Sequence, residues 1–170
     1  MHWLTFSIIA YLCTVIQSTL LYKLELFNVH ARPDLLLLAA LFFILWWNRG
    51  EALIAAWILG FCRDLISAVP LGVSALAFAL VAMAVMAARR VIFRDNPLVQ
   101  VALAFFFAFL VEWLVVQHGN LAGWLGGKDF PHLTRLAFYN AVYSALLAPY
   151  LMWLLLRVSW LHKSHPMRAR

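Results

Sequence analysis

The chain has 170 residues, of which 66% are hydrophobic, 15% aromatic and only 12% charged, and its mean hydropathy is +0.89. A soluble domain is about 45 to 50% apolar and about 25% charged, so this composition excludes a disordered chain, a disulfide-stapled secreted domain and a soluble nucleic-acid binder. It makes the lipid bilayer the solvent, and the net charge of +6 reads first as an orientation signal.

A helix needs about 20 residues to cross a hydrocarbon core of about 30 Å, and the pattern predicts an all-α, single-domain membrane protein with six such helices. The first span covers residues 3–22, without a formal charge. It lacks a basic flank and a small-x-small cleavage site, so it reads as a retained span rather than a signal peptide. Residues 28–33 form a break. The second span, 33–48, opens with Pro33 in its first turn and with Asp34 complementing the N-terminal dipole. The third, 52–67, carries Arg63 and Asp64 in its last turns before Pro70, Leu71 and Gly72 break the helix. Were 52–88 a single helix instead, the count would fall to five and the termini would face opposite sides.

The fourth span, 73–88, is alanine-rich and closes on Arg89 and Arg90. The fifth, 97–117, contains Glu112, the one acidic residue well inside a span. A polar loop is expected from 118 to 135, with four glycines. The sixth span, 136–156, holds Pro149, which removes a backbone donor and predicts a kink. A basic tail follows, with Lys163, Arg168 and Arg170.

Catalytic patterns are missing. There is no Gly-x-Ser-x-Gly turn, no His-Glu-x-x-His and no paired aspartates for metal-assisted transfer. The six histidines, at 2, 30, 118, 132, 162 and 165, fall in expected loops or tails and read as interfacial. Cys13 and Cys62 lie in apolar stretches and read as small core residues. No catalytic residue, metal ligand or cofactor site is assigned.

Ala52, Ala56, Gly60 and Asp64 recur every four residues on one stripe of the third span, where small residues let a second helix come close. Asp64 must find a partner or water there. Arg63, about 100° away around the helix, need not be that partner. With the termini inside, polar groups gather in the outer halves of the spans: Thr14, Gln17, Ser18, Asp34, Arg63, Asp64, Glu112, Gln117, Tyr139, Asn140, Tyr143 and Ser144. Either they satisfy one another or they line a cavity or docking surface open to the outside.

Certain of these residues form a familiar set: Gln17-Ser18-Thr19-Leu20, Arg32-Pro33-Asp34 ahead of a leucine run, and Gly60 with Asp64 before Pro70-Leu71-Gly72. In these segments the chain resembles the bacterial rod shape-determining protein MreD family. It departs from the family at Arg63, where a neutral residue is more usual, so no role is carried over to Arg63. The resemblance implies a non-enzymatic inner-membrane subunit of the cell-elongation machinery that binds the bitopic protein MreC. Through MreC it implies links to the penicillin-binding transpeptidase, the glycosyltransferase RodA and the filament protein MreB. It also implies a fold like the substrate-binding subunits of energy-coupling-factor transporters, which keeps a vitamin-binding transport subunit as the alternative. The residues singled out for interaction or an outer cavity are Gln17, Asp34, Gly60, Asp64, Pro70, Gly72, Glu112 and Asn140.

Six spans place eight of the Lys and Arg residues (Arg49, Arg89, Arg90, Arg94, Arg157, Lys163, Arg168, Arg170) on the side of both termini and five (Lys23, Arg32, Arg63, Lys128, Arg135) on the other. The positive-inside rule then puts both termini in the cytoplasm. Reporter fusions after Arg94 and Arg170 are expected to report cytoplasm and one after Lys128 the outside. An external signal at Arg170 alone would mean five spans.

Overall fold

The structure, a computed structural model, describes residues 2–21, 33–67, 69–89, 96–123 and 130–161. Among these it has six α-helices and no strand: α1 (His2–Ile16), α2 (Leu35–Trp46), α3 (Arg49–Ile66), α4 (Val73–Ala88), α5 (Pro97–Leu121) and α6 (Phe130–Leu161). A π-helical turn, Gln17–Leu21, continues α1. α3 and α4 are separate helices, parted at Pro70 and Gly72. α5 and the stretch Pro131–Arg157 of α6 are long and apolar enough to cross a bilayer, whereas α1, α2 and α4 are apolar but shorter. α3 carries Arg49, Glu51, Arg63 and Asp64, which lowers its hydropathy.

α2 is the axis of the molecule. It touches each of the other five helices, and every residue from Leu36 to Leu45 is buried. Twelve residues reach only about 18 Å at about 1.5 Å each, so α2 ends within the depth of the protein. Around it α3 packs on α4, and α5 on α6 and α4.

Around the large side chains of α2, the helices α3 and α6 turn many small residues inward and large ones outward. α3 buries Ala52, Ala55, Ala56 and Gly60, and α6 buries Ala137, Ala141, Ala145 and Ala148. Leu4, Ile8, Tyr11, Ile54, Trp57, Leu76, Leu80, Phe106, Leu146 and Trp153 face outward. In water this would be an aggregation surface; in lipid, association depends on close backbone approach, which small residues allow. Gly60 marks the closest approach: a Cβ there would lie 2.7 Å from the Cα of Ala75 and 2.9 Å from the carbonyl oxygen of Ser74.

Several expectations change. Pro33 is not in a helical first turn. Asp34 is the N-cap and the helix starts at Leu35, because the carboxylate is better used accepting the free amides at the helix start. The polar loop expected from 118 to 135 shrinks, since α5 runs on to Leu121 and α6 begins at Phe130. The apolar packing of α5 on α6 carries the helical hydrogen bonding past His118 and through Thr134 and Arg135. His2, His118 and His132 accordingly lie in helical end turns. α6 continues as helix through Pro149. Lys23, Arg32, Arg90, Arg94, Lys128, Lys163, Arg168, Arg170, His30, His162 and His165, and the break at 28–32, lie outside the described residues.

Gly60→Ala is expected to lower thermal stability in detergent by about 1–3 kcal/mol, the usual effect of overpacking, because backbone rather than a mobile side chain stands in the way. Gly50→Ala, with nothing within 4 Å of the added methyl, is expected to leave the melting temperature unchanged or slightly raised.

Candidate functional site

The start of α2 is buried, and its free amides need acceptors that water would otherwise supply. Asp34 Oδ1 accepts from the Leu37 N–H at 3.1 Å and from Gln17 Nε2 at 3.1 Å. Gln17 Oε1 in turn accepts from the Leu36 N–H at 3.1 Å. The Asp34 N–H donates to Ser144 Oγ of α6 at 3.0 Å. The π-helical turn after α1, the N-cap of α2 and the middle of α6 are thereby fixed to one another.

The second oxygen of Asp34 faces Arg63 of α3, with Nε at 2.8 Å from Oδ2. This guanidinium also pairs with Glu112 of α5 and donates a long bond to Ser74 Oγ at 3.4 Å. It lies over the Phe78 ring of α4, 5.9 Å from the centroid. Asn140 of α6 adds a side-chain hydrogen bond to Glu112. The side chains of Arg63 and Glu112 are only 12% and 14% exposed, so the cluster is closed rather than open. A planar fork of five donors suits a point where two carboxylates and a hydroxyl converge.

Asp64 serves a different neighbour. Its Oδ2 accepts from the Gly72 N–H at 2.8 Å and the Ala75 N–H at 3.3 Å, and its Oδ1 from the Ser74 N–H at 3.1 Å. Gly72 sits at the N-cap of α4 with φ +96°, a left-handed conformation that glycine adopts without a Cβ clash. Having no side chain, it cannot cap α4 itself, and Asp64 supplies the missing acceptor from the preceding helix. Ser74 joins the two groups, since its N–H goes to Asp64 and its hydroxyl accepts from Arg63.

Of the residues singled out from the sequence, Gln17, Asp34, Glu112 and Asn140 meet in one cluster. Gly60, Asp64 and Gly72 meet beside it at the α3–α4 contact, and Pro70 is exposed. Sequence reasoning placed Arg63 and Ser144 among the polar groups at this depth without singling out Arg63 as the centre, and it missed Ser74. A usable signal existed: three acidic residues at one depth of the apolar helices require a cation of matching depth, and Arg63 is at that depth. Arg89 was also missed. Its Nη1 donates to the carbonyls of Ile44 and Trp47, each at 2.7 Å, closing the other end of α2.

Electrostatically, three carboxylates share one guanidinium. Two of them, Asp34 and Asp64, also face the positive ends of α2 and α4, each worth roughly half a charge. Most of Arg63's charge is left for Asp34 and Glu112. Nothing in this geometry aims a nucleophile or a proton donor into a cleft; it ties helices together. Among the described residues no three His, Cys, Asp or Glu side chains are grouped to hold a metal ion.

Arg63→Met is expected to lower stability by about 3–5 kcal/mol, as when one partner of a buried ion pair is removed. The double variant Arg63→Met/Glu112→Leu is expected to regain part of the loss, with melting of all three proteins in detergent as the measurement. Arg89→Ala is expected to lose about 1–3 kcal/mol by leaving buried carbonyls unbonded, and Arg89→Lys less than that.

The family profile described as rod shape-determining protein MreD matches residues 1–158, a stretch that takes in every residue of both groups. No curated protein matches the chain, and no solved structure matches it. With nearly the whole chain inside the family profile and an apolar helical bundle to go with it, this protein belongs to the family of the rod shape-determining membrane protein MreD.

Proposed function

We propose that the protein is a non-enzymatic scaffold subunit of the cell-elongation complex in the bacterial cytoplasmic membrane. In this reading it binds MreC and, directly or through MreC, helps to position the penicillin-binding transpeptidase, RodA and MreB along the cell cylinder. Six crossings with both termini in the cytoplasm, and the arrangement of energy-coupling-factor substrate-binding subunits, belong to the same proposal. Family membership supports it. The observation that carries it is the closed cluster on Arg63, which draws on α2, α3, α4, α5, α6 and the turn after α1.

A scaffold must hold its outer surface in one shape while other membrane proteins bind and leave. A buried network whose members hydrogen-bond to one another serves that need, because its helices cannot slide without exposing a charge to lipid. Gln17, Asp34, Arg63, Asp64, Glu112 and Ser144, which could have lined a solute cavity, are instead bonded within the bundle. That arrangement favours the scaffold over the vitamin-binding alternative, and the exposed apolar faces of α1 and α3 are what neighbouring membrane helices would meet.

Copurification in mild detergent is expected to recover MreC with the protein, and depletion in a rod-shaped host is expected to give swollen, rounded cells. Rods that stay normal after complete depletion, with loss only of vitamin uptake, would favour transport. Asp64→Asn and Glu112→Gln are expected to lower MreC recovery only in step with the loss of folded protein. Lost recovery at wild-type melting temperature would place that residue on the docking surface itself.

A further inference from the structure

Away from the buried cluster, α5 and α6 form two clefts on one lipid-facing side. A cleft of about 590 Å³ is bounded by Phe109, Thr134, Arg135 and Tyr139 at the end where α6 begins. A second, of about 360 Å³, is bounded by Leu98, Ala102, Phe106 and Leu146 further along the same helices. The surface that joins them is aromatic. Phe138 meets Phe105 and Phe109 edge-on, with centroids 5.6 and 6.5 Å away, and Phe105 lies parallel to Phe109 at 6.1 Å.

The lining follows helical spacing. On α6, Arg135, Phe138, Val142, Ala145 and Leu146 succeed one another at intervals of three, four, three and one, so they form one stripe. From Arg135 to Leu146 this stripe covers about 16 Å at about 1.5 Å per residue, which is about half of a hydrocarbon core of about 30 Å. It has the depth of one leaflet. Its only charge is a cation at one end: Arg135 is exposed and makes no ion pair among the described residues. Arg157, near the other end of α6, by contrast lies over the Trp153 ring at 5.1 Å.

We propose that this groove holds one anionic phospholipid, with its phosphate on Arg135 and an acyl chain along the α5–α6 cleft. A guanidinium binds phosphate oxygens through two parallel N–H bonds, and an apolar trough with a cation at its head matches a molecule with an anionic head and an apolar tail. A partner's transmembrane helix would fill the apolar part but would leave the cation without a counterpart. The proposal is independent of the scaffold reading, since it concerns a face that the Arg63 cluster does not touch.

Native mass spectrometry of the purified full chain, delipidated and then offered equal phosphatidylglycerol and phosphatidylcholine, tests it. One phosphatidylglycerol is expected to be retained, and Arg135→Gln is expected to weaken that retention about tenfold, the scale of a lost charged hydrogen bond. Ala102→Trp, which fills the apolar cleft from an exposed position, is expected to expel the lipid with Arg135 intact. Arg157→Gln is expected to change nothing. Unaltered melting of the three variants confirms that folding is not what is being read. Equal retention of the two lipids, a preference that survives Arg135→Gln, or displacement of the lipid by millimolar glycerol phosphate, which has the head without the tail, would overturn the proposal. So would a photo-crosslinker at Leu146 that captures a polypeptide in place of lipid in native vesicles.

Discussion

A twelve-residue helix buried from Leu36 to Leu45, with its start inside the protein, is the constraint on which the rest depends. Four amides at its start and four carbonyls at its finish have no partner within the helix, and apolar surroundings offer none. Every polar feature of the bundle near α2 follows from that need. Asp34 and Gln17 supply acceptors at the start, and Arg89 supplies donors at the finish. The signs agree with the helix dipole, acid at the positive end and base at the negative end.

Capping with a carboxylate brings a charge into the bundle, and the charge brings Arg63. One guanidinium exceeds what Asp34 alone requires, so Glu112 completes the pairing from α5, with Asn140 and the Ser74 and Ser144 hydroxyls filling the remaining valences. The polarity at this end of the bundle is therefore the consequence of burying a short helix, without appeal to a ligand. Whether such a pair adds net stability over a well-packed apolar core is a separate matter. Its effect on uniqueness is clearer: any helix shift that separates Arg63 from either carboxylate leaves a charge in lipid.

The α3–α4 hinge is solved by geometry of another kind. Gly60 lets the backbone of Ala75 come close, Gly72 takes the left-handed turn, and Asp64 crosses the gap to accept the amides that open α4. These three residues sit twelve positions apart at most, yet they operate as a unit because the chain reverses between them. A rigid corner here and a rigid centre at Arg63 give a body whose outer surface is shaped by large apolar side chains. That is a suitable form for the scaffold role proposed above.

The sequence by itself determined the solvent, the helical class and the number of helices, because these depend on composition and on apolar run length, which are local properties of the chain. It also singled out Gln17, Asp34, Asp64, Glu112 and Asn140 as polar groups at matching depth, since a charge in an apolar run is conspicuous without knowledge of the fold. Left open were the partners of those groups. Only the tertiary structure decided that Arg63 turns away from its neighbour Asp64 to join Asp34 and Glu112, twenty-nine and forty-nine residues distant, and that Arg89 closes α2 instead of merely ending α4. Pairing across that separation depends on how the helices are rotated about their axes, and the rotation is set by where small residues permit close contact. Periodicity along one helix carries no record of the helix it will face.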